Sequence, residues 1–230
     1  GIRDKLVTGV QTCALPISER IFALLDTEAR VVSPAPDAAP VTAAPTQPTI
    51  RFEHVTFGYV PGETVLRDVS FEVRPGQRVA IVGATGSGKT TIISLLQRFY
   101  DVQAGRITID GVDIREMDLQ AVRGVFALVL QDVQVFSGTV AENVRLGNRA
   151  IDDAAVRQAL EAVRVHTVVD RLPGGLGAAV AERGASLSVG QKQLLSFARA
   201  LAFDRPVLIL DEATASVDTE TEQLIREALR

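Results

Sequence analysis

Residues Ser186 to Asp218 read SLSVGQKQLLSFARALAFDRPVLILDEATASVD. A helix start containing serine and glycine leads into an apolar run, Val207 to Leu210, that ends in two adjacent carboxylates, Asp211 and Glu212. A solvated strand alternates in polarity, whereas this run does not, so it reads as a strand buried on both faces. Both carboxylates then emerge at its carboxyl end. Upstream, Gly83 to Thr90 reads GATGSGKT and matches the phosphate-binding pattern G-x-x-x-x-G-K-[ST]. The loop follows a strand-like apolar run, Arg78 to Val82, and precedes a helical pattern over Thr90 to Tyr100, with Ile92, Ile93, Leu95, Leu96 and Phe99 on the packing side. In such a loop the glycines let successive backbone NH groups converge on phosphate oxygens, and the helix adds the positive end of its dipole. Lys89 is then placed for the β and γ phosphates, and the Thr90 hydroxyl for magnesium.

The Leu-Ser-x-Gly-Gln segment, Leu187 to Gln191, followed by a Walker B strand and preceded by the phosphate loop, resembles the ATP-binding cassette family. The resemblance covers nearly all of Ser18 to Arg230 and implies two cofactors, ATP and Mg2+. The nucleotide would be held by Gly83, Ala84, Thr85, Gly86, Ser87, Gly88, Lys89, Thr90 and Thr91. Asp211 would hold magnesium, directly or through water, and Glu212 would polarise the attacking water as general base. Gln131 matches the Q-loop position, touching magnesium and the water; its surroundings, LQDVQVFSGTVAENV, are similar to the exporter form. Ser188, Gly190 and Gln191 belong to the signature, which contacts the γ-phosphate bound to the opposite subunit. Val189 stands where the commonest form has glycine; its NH is kept, so the function is expected to survive unless the position needs a positive φ. Glu182-Arg183-Gly184 resembles the exporter X-loop, and Asp218 the D-loop at the dimer interface. Tyr59 fits the aromatic position that stacks on adenine, although a tyrosine before Pro61-Gly62 also reads as a turn residue.

The implied fold class is α/β: a P-loop NTPase with a RecA-like core on a mixed, mainly parallel sheet, a small antiparallel β subdomain and an α-helical signature subdomain. The antiparallel part is legible in Ile50 to Phe57, where Ile50, Phe52, Val55 and Phe57 are the apolar positions, and in Val65 to Val73 beyond the Pro61-Gly62 turn. Gly105 to Ile109 and Phe126 to Leu130 read as further strands, and Asp152 to Val163 and Gln191 to Leu201 as helices. Thr219-Glu220-Thr221-Glu222 reads as a capping box opening a helix that packs through Leu224, Ile225, Ala228 and Leu229. His54 and His166 do not occupy the position of the family's switch histidine, which is expected on a strand after that last helix. The domain therefore reads as truncated at Arg230. The missing strand would leave Arg78 to Val82 and Val207 to Leu210 about two strand spacings apart, roughly 9.5 Å.

The first residues are anomalous. Residues 1–17, GIRDKLVTGVQTCALPI, can be back-translated, with two free codons at Lys5 and Leu6, into an indexed sequencing adaptor read in frame. Their apolar residues are interrupted by Asp4, Thr8, Gln11 and Thr12, unlike a signal peptide. Setting them aside removes the single cysteine, Cys13, and a charge of +1 from a total of −4, leaving −5 and no thiol chemistry. A mildly acidic chain is not a nucleic-acid binder by bulk charge. Residues 18–30, SERIFALLDTEAR, resemble the end of the last transmembrane helix of an exporter, residues 31–49 form a Pro/Ala-rich linker, and 50–230 form the nucleotide-binding domain. No run of about 18 apolar residues occurs. The partners implied are a second such domain, head to tail in a homo- or heterodimer, and a transmembrane domain, at the cytoplasmic face of a cell membrane. Two rivals fit less well. A chromosome-maintenance or translation ATPase is disfavoured by the compact spacing from Gly83 to Leu187, and a regulatory module without turnover by the presence of Glu212.

Overall fold

The computed structural model describes residues 19, 21–23, 25–27, 31–34, 45–181, 184, 187–211 and 219–228. The chain divides into two units, 1–32 and 33–230. In the first, residues 19, 21–23 and 25 are helical, and Ile21, Phe22 and Leu25 are exposed. No helix among the described residues is long and apolar enough to cross a membrane.

The second unit begins with a four-stranded antiparallel sheet in the order β2-β1-β3-β4, made of β1 Ile50–Phe57, β2 Leu66–Val73, β3 Ala104–Ile109 and β4 Val112–Asp113. In β1 the inward positions are Ile50, Phe52, Val55 and Phe57, all buried. The step from Phe52 to Val55 is odd, and a strict two-residue period would break there. A register shift between those residues absorbs the extra position, with His54 at φ 52°, and a second shift, between Val55 and Phe57, holds Asp68 of β2 at φ 51°. His54 Nδ1 lies 2.7 Å from Asp68 Oδ1 on the exposed side. It is a surface group at a bulge.

Helix α1, Lys89–Leu96, buries Ile92 and Leu95 in the core of this sheet. It is shorter than the periodicity predicts. Gln97 caps it and Arg98 takes a left-handed conformation, φ 51°, so Phe99 turns outward and is exposed instead of packing. The cause is Arg98 itself. Its guanidinium is buried, donates 2.9 Å to Asp101 Oδ1, and reaches the carbonyls of Ile114 and Met117 at 3.2 and 3.3 Å.

Helix α2, Leu119–Gly124, is capped by Asp118 and leads into β5, Phe126–Val129. After β6, Gly138–Thr139, come α3, Val140–Arg145, α4, Asp153–Ala162, and α5, His166–Val169, which opens on His166. Strand β7, Ala179–Val180, pairs with β6, and then α6, Val189–Ala202, returns to β8, Val207–Leu210, and α7, Thr219–Ala228. A second core joins one face of β5 (Ala127, Val129) to α3, α4, α6 and Ile225 of α7. Leu224, Ile225 and Ala228 pack as the pattern predicts; Leu229 lies outside the described residues.

Strands β5 and β8 are parallel, Phe126 beside Val207 through Val129 beside Leu210. The sequence expectation fails for Arg78 to Val82. This run joins no ladder among the described residues, and Val79, Ile81 and Val82 are exposed, Val82 at 90%. Among the described residues, strand β8 correspondingly pairs with β5 alone, is only partly buried, and leaves Leu210 exposed. An apolar run becomes a strand by pairing, and no described strand lies alongside to pair with it.

Candidate nucleotide site

The phosphate loop is built by two glycines in conformations that other residues avoid. Gly86 and Gly88 have φ 83° and 94°. A Cβ on Gly88 would stand 2.7 Å from Leu66 Cδ2 and 3.4 Å from Val65 Cγ1, so the loop rests directly on the start of β2. Ser87 NH donates to the Ala84 carbonyl at 3.1 Å, closing the turn, and Gly88 then serves as the N-cap of α1. No side chain caps α1, so no side-chain oxygen takes up its first NH groups. Lys89 folds back over the loop: Nζ donates to the carbonyls of Gly83 and Ala84 at 2.9 and 3.3 Å. Thr90, in the first turn of α1, is exposed, while Thr91 is buried. An uncapped helix start, two left-handed glycines and an ammonium group together fit a polyphosphate.

Tyr59 stands beside this loop. Its hydroxyl donates to Thr91 Oγ1 at 3.2 Å, and its ring meets Phe57 and Tyr100 edge to face, with centroids 5.0 and 5.1 Å away. Half of the residue, 49%, remains exposed. A turn role and an open aromatic ring therefore coincide at this residue.

Asp211 follows β8 and its NH donates to the Val129 carbonyl at 3.0 Å, extending the parallel ladder by one residue. Leu130 and exposed Gln131 follow β5. Both site residues thus stand at the carboxyl edge of one parallel pair. Among the described residues no group of three His, Cys, Asp or Glu gathers to hold a metal. A magnesium ion held by phosphates, water, one hydroxyl and one carboxylate needs none, so Thr90 and Asp211 fit that role by donor type.

Ser188 caps α6 in a full capping box. Its hydroxyl accepts from Gln191 NH at 3.1 Å, and Gln191 Oε1 accepts from Ser188 NH at 3.0 Å. Val189 is the first helical residue, has no positive φ, and is 61% exposed. The condition set on Val189 is met, because valine adopts this conformation without strain. Gly190 is buried at the second helical position.

Two side chains unremarked in the sequence hold the segment after Gln131. Asn143, buried in α3, accepts from Phe136 NH and donates to Phe136 and Thr139 carbonyls, at 2.8, 2.8 and 3.0 Å. Arg199, from α6, donates to the carbonyls of Asn143 at 2.9 Å and Gln134 at 3.2 Å, and burial lowers its pKa. The Asn143 clamp follows a legible capping box, Thr139-Val-Ala-Glu142, whereas nothing local in the sequence marks Arg199. Glu212, Asp218, Glu182, Arg183 and Cys13 lie outside the described residues.

Residues 66–215 match a family profile described as ABC transporter. A fatty acid ABC transporter ATP-binding/permease protein of Mycobacterium bovis is 43% identical over 230 residues, which is 100% of this chain and 35% of the relative. A probable multidrug resistance ABC transporter ATP-binding/permease protein of Bacillus subtilis, YheH, is 48% identical over 180 residues, 78% of this chain and 27% of the relative. Among solved structures, a bacterial Atm1-family ABC exporter with ATP bound superposes with a TM-score of 0.84 at 39% identity, over 94% of this chain and 37% of that one. The chain spans about a third of the length of these proteins.

Proposed function

The chain belongs to the ABC transporter family, and from that membership we propose that it binds and hydrolyses ATP as the nucleotide-binding domain of an exporter. The observation that carries the proposal is the Gly83–Thr90 loop: two left-handed glycines, an uncapped helix start and a lysine ammonium already seated on the loop carbonyls. In the proposed division of roles, the loop amides and Lys89 neutralise the phosphate oxygens, with Thr91 behind them, and Tyr59 stacks on the base. Thr90, Gln131 and Asp211 would hold magnesium, which when bound screens the phosphate charge. Glu212 accepts the proton of the attacking water, with Gln131 orienting that water. Ser188, Gly190 and Gln191 would face the nucleotide on a second copy or homologous partner. The hydroxyl and amide donors at the start of α6 suit that task, since a helix N-terminus attracts anions. Asp218 would lie at the junction.

We further propose the domain plan 18–30, membrane-domain helix end; 31–49, linker; 50–230, nucleotide-binding domain, working at the cytoplasmic face of a membrane. Residues 1–17 are proposed to be extraneous. The relatives at 43% and 48% identity are named for unlike cargoes, fatty acids and multiple drugs, so no cargo is assigned. The test is magnesium-dependent ATP turnover by the full-length polypeptide in proteoliposomes. Turnover that Glu212→Gln lowers by about a hundredfold, the scale of a positioned general base, supports the assignment. Unchanged turnover in that variant overturns it.

A further inference from the structure

We propose that Tyr100 is a positioning residue for base recognition: it holds the Tyr59 ring in place, so that nucleotide selectivity depends on a residue beyond the end of α1. The inference rests on reading Tyr59 as the base-stacking residue. An exposed tyrosine at a turn has two free side-chain torsions, and freezing them at the moment of binding costs affinity. Here they are restrained beforehand. Tyr100 meets the Tyr59 ring at 5.1 Å with an interplanar angle of 84°, Phe57 meets it at 5.0 Å and 85°, and Thr91 Oγ1 receives the hydroxyl at 3.2 Å. Tyr100 and Phe57 also touch each other, with centroids 5.6 Å apart.

The segment carrying Tyr100 is itself fixed. Buried Arg98 ties it to Asp101 and to the Ile114 and Met117 carbonyls, and Gln103, from the same segment, donates through Nε2 to the Gly58 carbonyl at 2.9 Å. Tyr100 and Gln103 therefore grip the two residues Gly58 and Tyr59 from one rigid turn. Gly58 is required there, since a Cβ on it would overlap the Glu63 carbonyl. Tyr59 at 49% and Tyr100 at 45% exposure leave aromatic surface open for a planar, π-rich ligand.

The experiment measures binding of magnesium ATP and of magnesium tripolyphosphate, which lacks the base, to the full-length polypeptide and its Tyr100→Leu, Tyr100→Phe and Tyr59→Leu variants. An edge-to-face contact is worth on the order of threefold to tenfold in affinity. Tyr100→Leu is expected to weaken ATP by that factor and leave tripolyphosphate within about twofold; Tyr100→Phe keeps the ring and should leave both unchanged. Wild-type ATP affinity in Tyr100→Leu, or an equal loss of both ligands, overturns the inference. If instead Tyr59→Leu leaves the ratio of the two affinities unchanged, the base-stacking reading fails, and this inference with it.

Discussion

Lys89 shows how a single side chain can be legible as a motif member while its reason lies in the backbone around it. Its ammonium already sits 2.9 Å from the Gly83 carbonyl, held inside a loop that Gly86 and Gly88 curl by taking positive φ. Replacing it with alanine removes a positive charge from this cradle, and hydrogen bonds to charged groups are worth about 1.5 to 3 kcal/mol, so Lys89→Ala should weaken magnesium ATP at least about tenfold. Equilibrium nucleotide binding to the full-length polypeptide checks this, and wild-type affinity would count against the site. Gly88→Ala is expected to act differently. Left-handed backbone costs an L-residue roughly 1 to 2 kcal/mol, and the new Cβ would press on Leu66 Cδ2 from 2.7 Å. The start of α1 should lose amide-exchange protection even without nucleotide; protection equal to wild type would show that the loop yields. The pattern G-x-x-x-x-G-K-[ST] predicted a glycine here, yet the contact with Leu66 depends on how β2 docks and cannot be read from spacing. Val189 is the converse: its NH is expected to preserve the role unless the position needs a positive φ, and as the first helical residue it has none.

At the scale of elements, α6 starts two residues before its apolar pattern predicts, because Ser188 caps it. Ser188 with Gln191 and Thr139 with Glu142 are both capping boxes, in which each partner satisfies the other's backbone NH. Their spacing is written in the sequence. The end of α1 is not, because Arg98 breaks the helix through carbonyls on a segment about twenty residues away, and local periodicity carries no information on that. The Glu142 carboxylate makes a pH prediction possible. Its pKa is lowered chiefly because it accepts the Thr139 backbone NH, with the Thr139 hydroxyl next. A group whose folded pKa is depressed contributes stability above its unfolded pKa, about 4.3, and that contribution is lost as pH falls through the folded value. Amide protection of α3, corrected for intrinsic exchange, should therefore fall between pH 7 and pH 3.5. In Glu142→Gln, which keeps an acceptor but not the charge, protection at pH 7 should already be lower and the pH dependence flatter. An identical pH profile in the two proteins would show that the charge at this cap does nothing.

For the whole molecule, the parallel sheet is the point at which sequence and structure part. Arg78 to Val82 has the composition of a buried strand, although the strand that would join it to β8 is expected to be missing. The described strands supply it no neighbour: β8 ladders with β5 alone, and Val79, Ile81, Val82 and Leu210 face solvent. Fully burying such a side chain is worth about 1.5 to 3 kcal/mol, so four of them left about half exposed forgo roughly 3 to 6 kcal/mol. A domain of this kind has only about 5 to 15 kcal/mol in total. The two cores on either side remain well formed, one behind the antiparallel sheet and one among α3, α4 and α6, and neither depends on that run. The expected behaviour of the 230-residue chain by itself is therefore broad, weakly cooperative unfolding, binding of a hydrophobic dye at neutral pH, and no steady ATP turnover despite intact Lys89, Asp211 and Glu212. The phosphate loop directly continues the Arg78 to Val82 run, so its distance from Asp211 is set by a strand ladder that the described residues do not form. Calorimetry and a turnover assay on the purified chain decide the matter. A single sharp transition together with magnesium-dependent hydrolysis would show that the loop and the β8 edge are held in register without a strand between them.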